Sequence, residues 1–189
     1  MTQRPLTFSR RRLLETGGAL VGATAAFGWL PRAFAGTGGE GVRRLALRNL
    51  NTPEVLDVVY RRGDEYLPQA LTEIEVLLRD YRTGERHSID PQLLDILYEV
   101  AQSLGVDPVF SVISGYRSPP TNGMLHARSA GVASHSLHME GRAMDVRLTR
   151  VNCADLATRA LAMQRGGVGY YRQSDFVHLD TGRLRTWRG

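Results

Sequence analysis

The apolar residues of this chain change period along its length, and that change confines it to an α+β fold. Leu45-Ala46-Leu47, Val55 to Tyr60, Val109 to Ile113, Ala143 to Leu148, Val168 to Tyr171 and Phe176 to Leu179 are short runs that read as strands. Asn49 to Thr52 joins the first two in a hairpin-like start. Other stretches carry helical spacing. Leu67, Leu71, Ile74, Leu77, Leu78 and Tyr81 predict a helix from Leu67 to Tyr81. Asp90-Pro91 supplies an N-cap and a first-position proline for a second helix, whose stripe is Leu93, Leu94, Leu97, Val100, Ala101 and Leu104, with Gly105 as the stop. Cys153 to Gln164 predicts a third, ended by Gly166-Gly167. The expected architecture is a small, mostly antiparallel sheet with helices packed against it. Gly115 to about Gly141 reads as one long loop, and loops of that length inside a domain usually carry function.

Not all 189 residues are expected to enter that domain. Ser9-Arg10-Arg11-Arg12-Leu13-Leu14 has the form of a twin-arginine export signal, followed by a Gly- and Ala-rich, weakly apolar stretch from Gly17 to Leu30 and a small-x-small site at Ala33-Phe34-Ala35. The apolar stretch is short of the ~20 residues a membrane span requires. Residues 1–35 are therefore read as a signal peptide, 36–42 as a Gly-rich flexible segment, and 43–189 as one domain. No stable membrane span is expected in the mature chain, and a periplasmic location follows.

The signal holds five of the 24 basic residues and one of the 19 acidic ones, so the domain itself is close to neutral. A nucleic-acid partner is not indicated. Every basic residue is Arg. Cys153 is the single cysteine, which excludes an intrachain disulfide and reads as a buried, inert thiol. A hydrolase using it as nucleophile is disfavoured, because no histidine is near it in sequence.

Two segments carry the chemistry. Ser136 to Asp145 contains His138 and Asp145, and Asp175 to Asp180 contains His178. Two imidazoles and a carboxylate form the three-ligand set of a catalytic zinc, whose fourth position stays open. A turn at Gly141 lets His138 swing back over the strand that holds Asp145. If the strand of His178 pairs beside it, the three side chains converge, and Asp180 shares the face of His178 and Phe176. Unassisted, these residues also fit ordinary surface or core positions.

Ser136-x-His138-x-x-Gly141-x-Ala143-x-Asp145 is similar, position by position, to the SxHxxGxAxD motif of zinc D-alanyl-D-alanine peptidases, and most resembles their YcbK-like murein endopeptidase branch. Ser114-Gly115-Tyr116-Arg117-Ser118 and Phe176-Val177-His178-Leu179-Asp180-Thr181-Gly182 resemble that family's flanking segments. The three together span roughly residues 90–189. The resemblance implies the fold shared with lysostaphin-type and D-Ala-D-Ala dipeptidase enzymes. It implies His138, Asp145 and His178 as zinc ligands and Arg117 as a fixed charge beside the scissile carbonyl.

The family position for a general base, three residues before the last ligand, is Asp175, which is equally suited to an exposed turn. Asp180 more plausibly orients a ligand histidine. Ser136 is expected to hydrogen-bond near the site and His135 to line the cleft, while His126 reads as a solvated loop residue. Of Tyr170 and Tyr171, one is expected to pack. The function implied is hydrolysis of peptidoglycan peptides, first by crosslink cleavage and second by trimming of D-Ala. A peptidoglycan-binding module with a retained metal site is the non-catalytic alternative.

Overall fold

A computed structural model describes residues 41–129 and 131–189. The signal expected over residues 1–35 lies outside the described residues, as does the flexible segment up to residue 40. The first strand begins at Val42, the last residue of that segment.

One mixed sheet of eight strands organises the domain: β1 Val42–Asn49, β2 Val55–Arg62, β3 Glu65–Tyr66, β4 Val109–Ser114, β5 Ala143–Leu148, β6 Gly167–Tyr171, β7 Phe176–Asp180 and β8 Arg185–Arg188. Their spatial order is β3-β2-β1-β4-β5-β7-β6-β8. Only β1–β4 and β6–β8 pair in parallel; the other neighbours are antiparallel. Four helices accompany the sheet: α1 Pro68–Leu77, α2 Pro91–Ser103, α3 Pro119–Arg128 and α4 Cys153–Met163.

Alternation along the central strands divides the molecule into a packed face and a chemical face. Met144, Val146 and Leu148 of β5 enter the core, as do Val177 and Leu179 of β7 and Val168 of β6. Helices α2 and α4 lie against these strands and against each other. The stripe of α2 is buried as its spacing predicts, with Leu93, Leu94, Leu97, Val100 and Ala101 wholly inaccessible. Each such leucine contributes about 1.5–3 kcal/mol relative to exposure. The helix starts where expected: the Asp90 carboxylate accepts from Gln92 N–H at 3.0 Å, and Pro91 occupies the first turn. The opposite face of β5 and β7 presents Asp145, His178 and Asp180.

Four elements differ from expectation, among them the short β3, whose two residues carry no period to read. The first helix stops at Leu77, and Tyr81 is exposed instead of packed, with the Arg82 guanidinium 4.2 Å above its ring. The long loop contains α3. Its prolines sit in the first turn, where a missing N–H costs nothing, and its buried residues are the polar Thr121 and Asn122, so no apolar stripe betrays it. Strand β8, Arg-Thr-Trp-Arg, has no apolar run and is held by parallel pairing with β6. Cys153 is buried, and burial first, with Asp175 second, pushes its thiol up to about 11, the state of an inert side chain.

Candidate metal centre

The strand register brings the chemistry together. Asp145 of β5 lies directly opposite His178 of β7, so their side chains emerge side by side on one face. His138 arrives from a one-turn 3-10 helix, Leu137–Glu140, capped by the Ser136 hydroxyl, which accepts from His138 N–H at 3.4 Å. Gly141 ends that turn with φ 65, and a Cβ there would stand 1.9 Å from the Ser88 carbonyl oxygen. Only glycine fits both the left-handed backbone and the close approach.

Three ligand atoms meet at the result. His138 Nε2 is 3.3 Å from Asp145 Oδ1 and 3.2 Å from His178 Nδ1, and His178 Nδ1 is 2.9 Å from Asp145 Oδ1. Donors bound to zinc at about 2.0–2.1 Å in a tetrahedron stand roughly 3.3 Å apart, so the set fits a small divalent ion. The remaining imidazole nitrogens are committed elsewhere. His138 Nδ1–H donates to the Gly115 carbonyl at 2.7 Å, and His178 Nε2–H donates to Asp180 Oδ2 at 2.9 Å. Each bond fixes a tautomer that leaves a bare lone pair facing the centre. All three residues are buried.

The electrostatics suit a cation. Burial opposes ionisation of Asp145, but His138, His178 and Arg117 outweigh it and hold the carboxyl well below its usual range. Burial likewise lowers His138 and keeps it neutral, the form that binds a metal. On His178 burial is outweighed by Asp145 and Asp180, which raise its pKa. The two carboxylates that draw a proton there also draw a metal ion.

Arg117 stands where the motif puts it. Its Nη2 donates to Asp145 Oδ2 and its Nε to Ser114 Oγ at 2.8 Å. The turn behind it is anchored by Asp80, whose Oδ2 accepts from Ser118 N–H at 3.0 Å and from Ser118 Oγ–H at 2.6 Å. Asp180 does more than orient His178: its Oδ1 also accepts from the backbone of Gly167 at 3.1 Å and of Gly182 at 2.8 Å.

A cleft of about 450 Å³ opens above the cluster. His135 and Ser136 line one side; Tyr171, Phe176 and Trp187 line another, with Tyr171 stacked on Phe176 at 4.4 Å. Tyr170 packs on the core instead. Asn122 holds the wall that contains His135, its Nδ2 donating to the carbonyls of Ala133 and Ser134 at 3.1 Å each. His126 sits on α3, away from the cluster, with its Nδ1 beside the Val132 carbonyl at 2.6 Å.

The structure does not bring Asp175 to the centre. It occupies the β6–β7 turn in a left-handed conformation, φ 50, and its carboxylate is 3.5 Å from Arg147 Nε. The Arg147 guanidinium also takes the carbonyls of Asp175 and Ser174. The turn chemistry of Ser174-Asp175 decides its place, and Asp175 is absent from the cleft lining.

Sequence reasoning missed Trp187 and Arg185. Trp187 lies 5.1 Å from the His178 ring, and Gly169 makes room for it, since a Cβ there would come within 2.4 Å of the indole. A glycine inside a strand facing a late tryptophan was the available signal.

Fold and centre together define a metallopeptidase of the D-alanyl-D-alanine peptidase type, with Asp145 and His178 on paired antiparallel strands and His138 on the 3-10 turn before them. The chain belongs to the family described as "Peptidoglycan L,D-endopeptidase MepK", which matches residues 38–187. It is 42% identical to the peptidoglycan L,D-endopeptidase MepK of Escherichia coli K12, over 95% of this chain and 97% of the relative. It is 37% identical to the probable peptidoglycan L,D-endopeptidase MepK of Haemophilus influenzae, over 96% of each. No solved structure matches the chain.

Proposed function

We propose that this chain is a zinc-dependent peptidoglycan endopeptidase that cleaves crosslinks between stem peptides in the periplasm, after export by the twin-arginine route. The observation that carries the reading is the convergence of His138 Nε2, Asp145 Oδ1 and His178 Nδ1 beneath an open cleft, each histidine locked into a ligating tautomer. The chain's relatives bear the name of an endopeptidase of the same polymer. Among the described residues no helix is long and apolar enough to cross a membrane.

His138, Asp145 and His178 would hold the ion. Zinc, when bound, supplies a Lewis acid and a source of hydroxide near neutral pH. The rest falls to the protein. Arg117 sets a fixed charge at the cleft floor, where a carbonyl oxygen turning tetrahedral gains negative charge. Gly115 and Asp180 keep the imidazoles from rotating or taking the wrong proton. Trp187 and the wall tied by Asn122 confine an extended peptide between them.

His135 is better placed than Asp175 to carry the proton to the leaving amine, because it lines the cleft and has no recorded partner among the described residues. Turnover then falls further in His135→Ala than in Asp175→Asn.

The test is release of soluble products from purified crosslinked muropeptides by protein lacking residues 1–35. Chelation and His138→Ala should each reduce release by at least about a thousandfold, of the order expected when a metal's whole contribution is lost. Full release by His138→Ala overturns the reading.

A further inference from the structure

Charge in the cleft is lopsided. Its lining contains two guanidinium groups, Arg117 and Arg185, and one carboxylate, Asp145. That carboxylate is buried and already paired with Arg117. A divalent ion at the centre adds further positive charge. Among the described residues, a peptide entering this space meets no free anion on the walls.

Arg185 is positioned in an unusual way for a residue in an ion pair. Its Nη1 and Nη2 grip the two oxygens of Asp180 at 3.1 and 2.7 Å, and Nη1 also donates to the Arg183 carbonyl at 3.2 Å. Asp180 is wholly buried, while one third of the Arg185 side chain is exposed (33%). The guanidinium plane is further fixed by Trp187, whose ring centre is 5.0 Å from its central carbon. A guanidinium has five N–H donors in two usable forks. Asp180 takes the Nη1/Nη2 fork. The other fork, Nε–H with the second Nη2–H, has no recorded partner among the described residues. Such a fork matches a carboxylate in two parallel hydrogen bonds.

We propose that Arg185 is a specificity residue whose free fork receives a substrate carboxylate beside the scissile amide. The carboxylate meant is one carried by the residue that gives the amine of the scissile amide. Arg185 does not act on the reacting bond. It selects the crosslink whose anion lies within reach, and Asp180 and Trp187 hold the fork ready. The inference rests on the endopeptidase reading and assigns one residue to its substrate recognition.

Two synthetic crosslinked peptides test it, identical at the scissile amide but carrying either a free carboxylate or a carboxamide on the amine-side residue. The zinc-loaded protein is expected to favour the carboxylate by at least about tenfold in kcat/KM, the value of one lost charge-assisted pair, with most of the difference in KM. Arg185→Gln should bring the ratio close to one, and Arg185→Lys should leave an intermediate ratio, because a point charge remains without the fork. A role confined to holding Asp180 would slow both peptides equally and preserve the ratio. Equal cleavage of the two peptides by the unaltered protein overturns the proposal and leaves the endopeptidase reading standing; that arm needs no variant to fold. A ratio preserved in Arg185→Gln overturns it as well. Failure to cleave either peptide overturns the endopeptidase reading itself, and the proposal falls with it.

Discussion

Asp80 lies outside every motif, yet the turn that carries Arg117 depends on it. The residue is 2% exposed, and its Oδ2 receives both the N–H and the hydroxyl of Ser118. Burial alone would raise its pKa. The bonds from Ser118 and Thr121, and from the backbone of Ser118 and Arg82, outweigh burial and hold it at about 2. An unfolded Asp titrates near ~3.9, so the difference corresponds to roughly 2–3 kcal/mol of stability at neutral pH.

The sign follows from the direction of the shift. The folded pKa is depressed, so the contribution is complete above about pH 5 and is lost as pH falls from about 4 through 2. Asp80→Asn removes it at every pH. Urea unfolding followed by circular dichroism should show the variant roughly 2–3 kcal/mol less stable at pH 7, a midpoint lower by about 1 M or more for a domain of this size. The gap should narrow steadily below pH 4. Loss of the Ser118 anchor should also lower turnover at 25 °C in the fraction that remains folded. A gap under about 0.5 kcal/mol at pH 7, or one that does not change with pH, rules out this role for Asp80.

Gly169→Ala should drive Trp187 off the His178 ring, since the added carbon meets the indole at 2.4–2.6 Å; the expected cost is about 1–3 kcal/mol, and in protein lacking residues 1–35 the emission of Trp187, then the sole tryptophan, reports the displacement directly. Asn122→Ala frees the carbonyls of Ala133 and Ser134 and should raise KM more than it lowers kcat in a muropeptide assay. Asp95→Asn removes the buried charge and turns one of the two acceptor oxygens into a donor, at a carboxylate shared by Tyr60 at 2.9 Å, Tyr66 at 2.6 Å and Arg61 at 2.8 Å; denaturant unfolding should show a loss of roughly 3 kcal/mol with turnover per folded molecule unchanged, because this network belongs to the far end of the sheet.

The convergence of His138, Asp145 and His178 was legible in the sequence because the cues to it are local. His138 and Asp145 belong to one contiguous motif with a glycine turn between them, and the alternation of β7 put Asp180 on the face of His178. The same local rules left Asp175 open between a base and an exposed turn residue, and the left-handed turn and Arg147 decide where its carboxylate points. The helices with apolar stripes, α2 and α4, were readable for the same reason that α3 was not. An element that buries Thr121 and Asn122 and shows its prolines first looks like a loop until its neighbours are known. Asp80 and Arg185 left no pattern to read because their roles exist only through Ser118 and Asp180 in the folded chain, and the one cue to Trp187 was the strand glycine Gly169.

Joint binding of one zinc ion by His138, Asp145 and His178 can be measured directly. Equilibrium dialysis against buffered zinc, with metal per chain read by mass spectrometry, addresses it without any assay of activity. One ion per chain is expected in protein lacking residues 1–35 and, at the same free zinc, almost none in Asp145→Ala or His178→Ala variants that remain folded by circular dichroism. An unaltered protein that binds no zinc, or variants that bind as much as the parent, would contradict it.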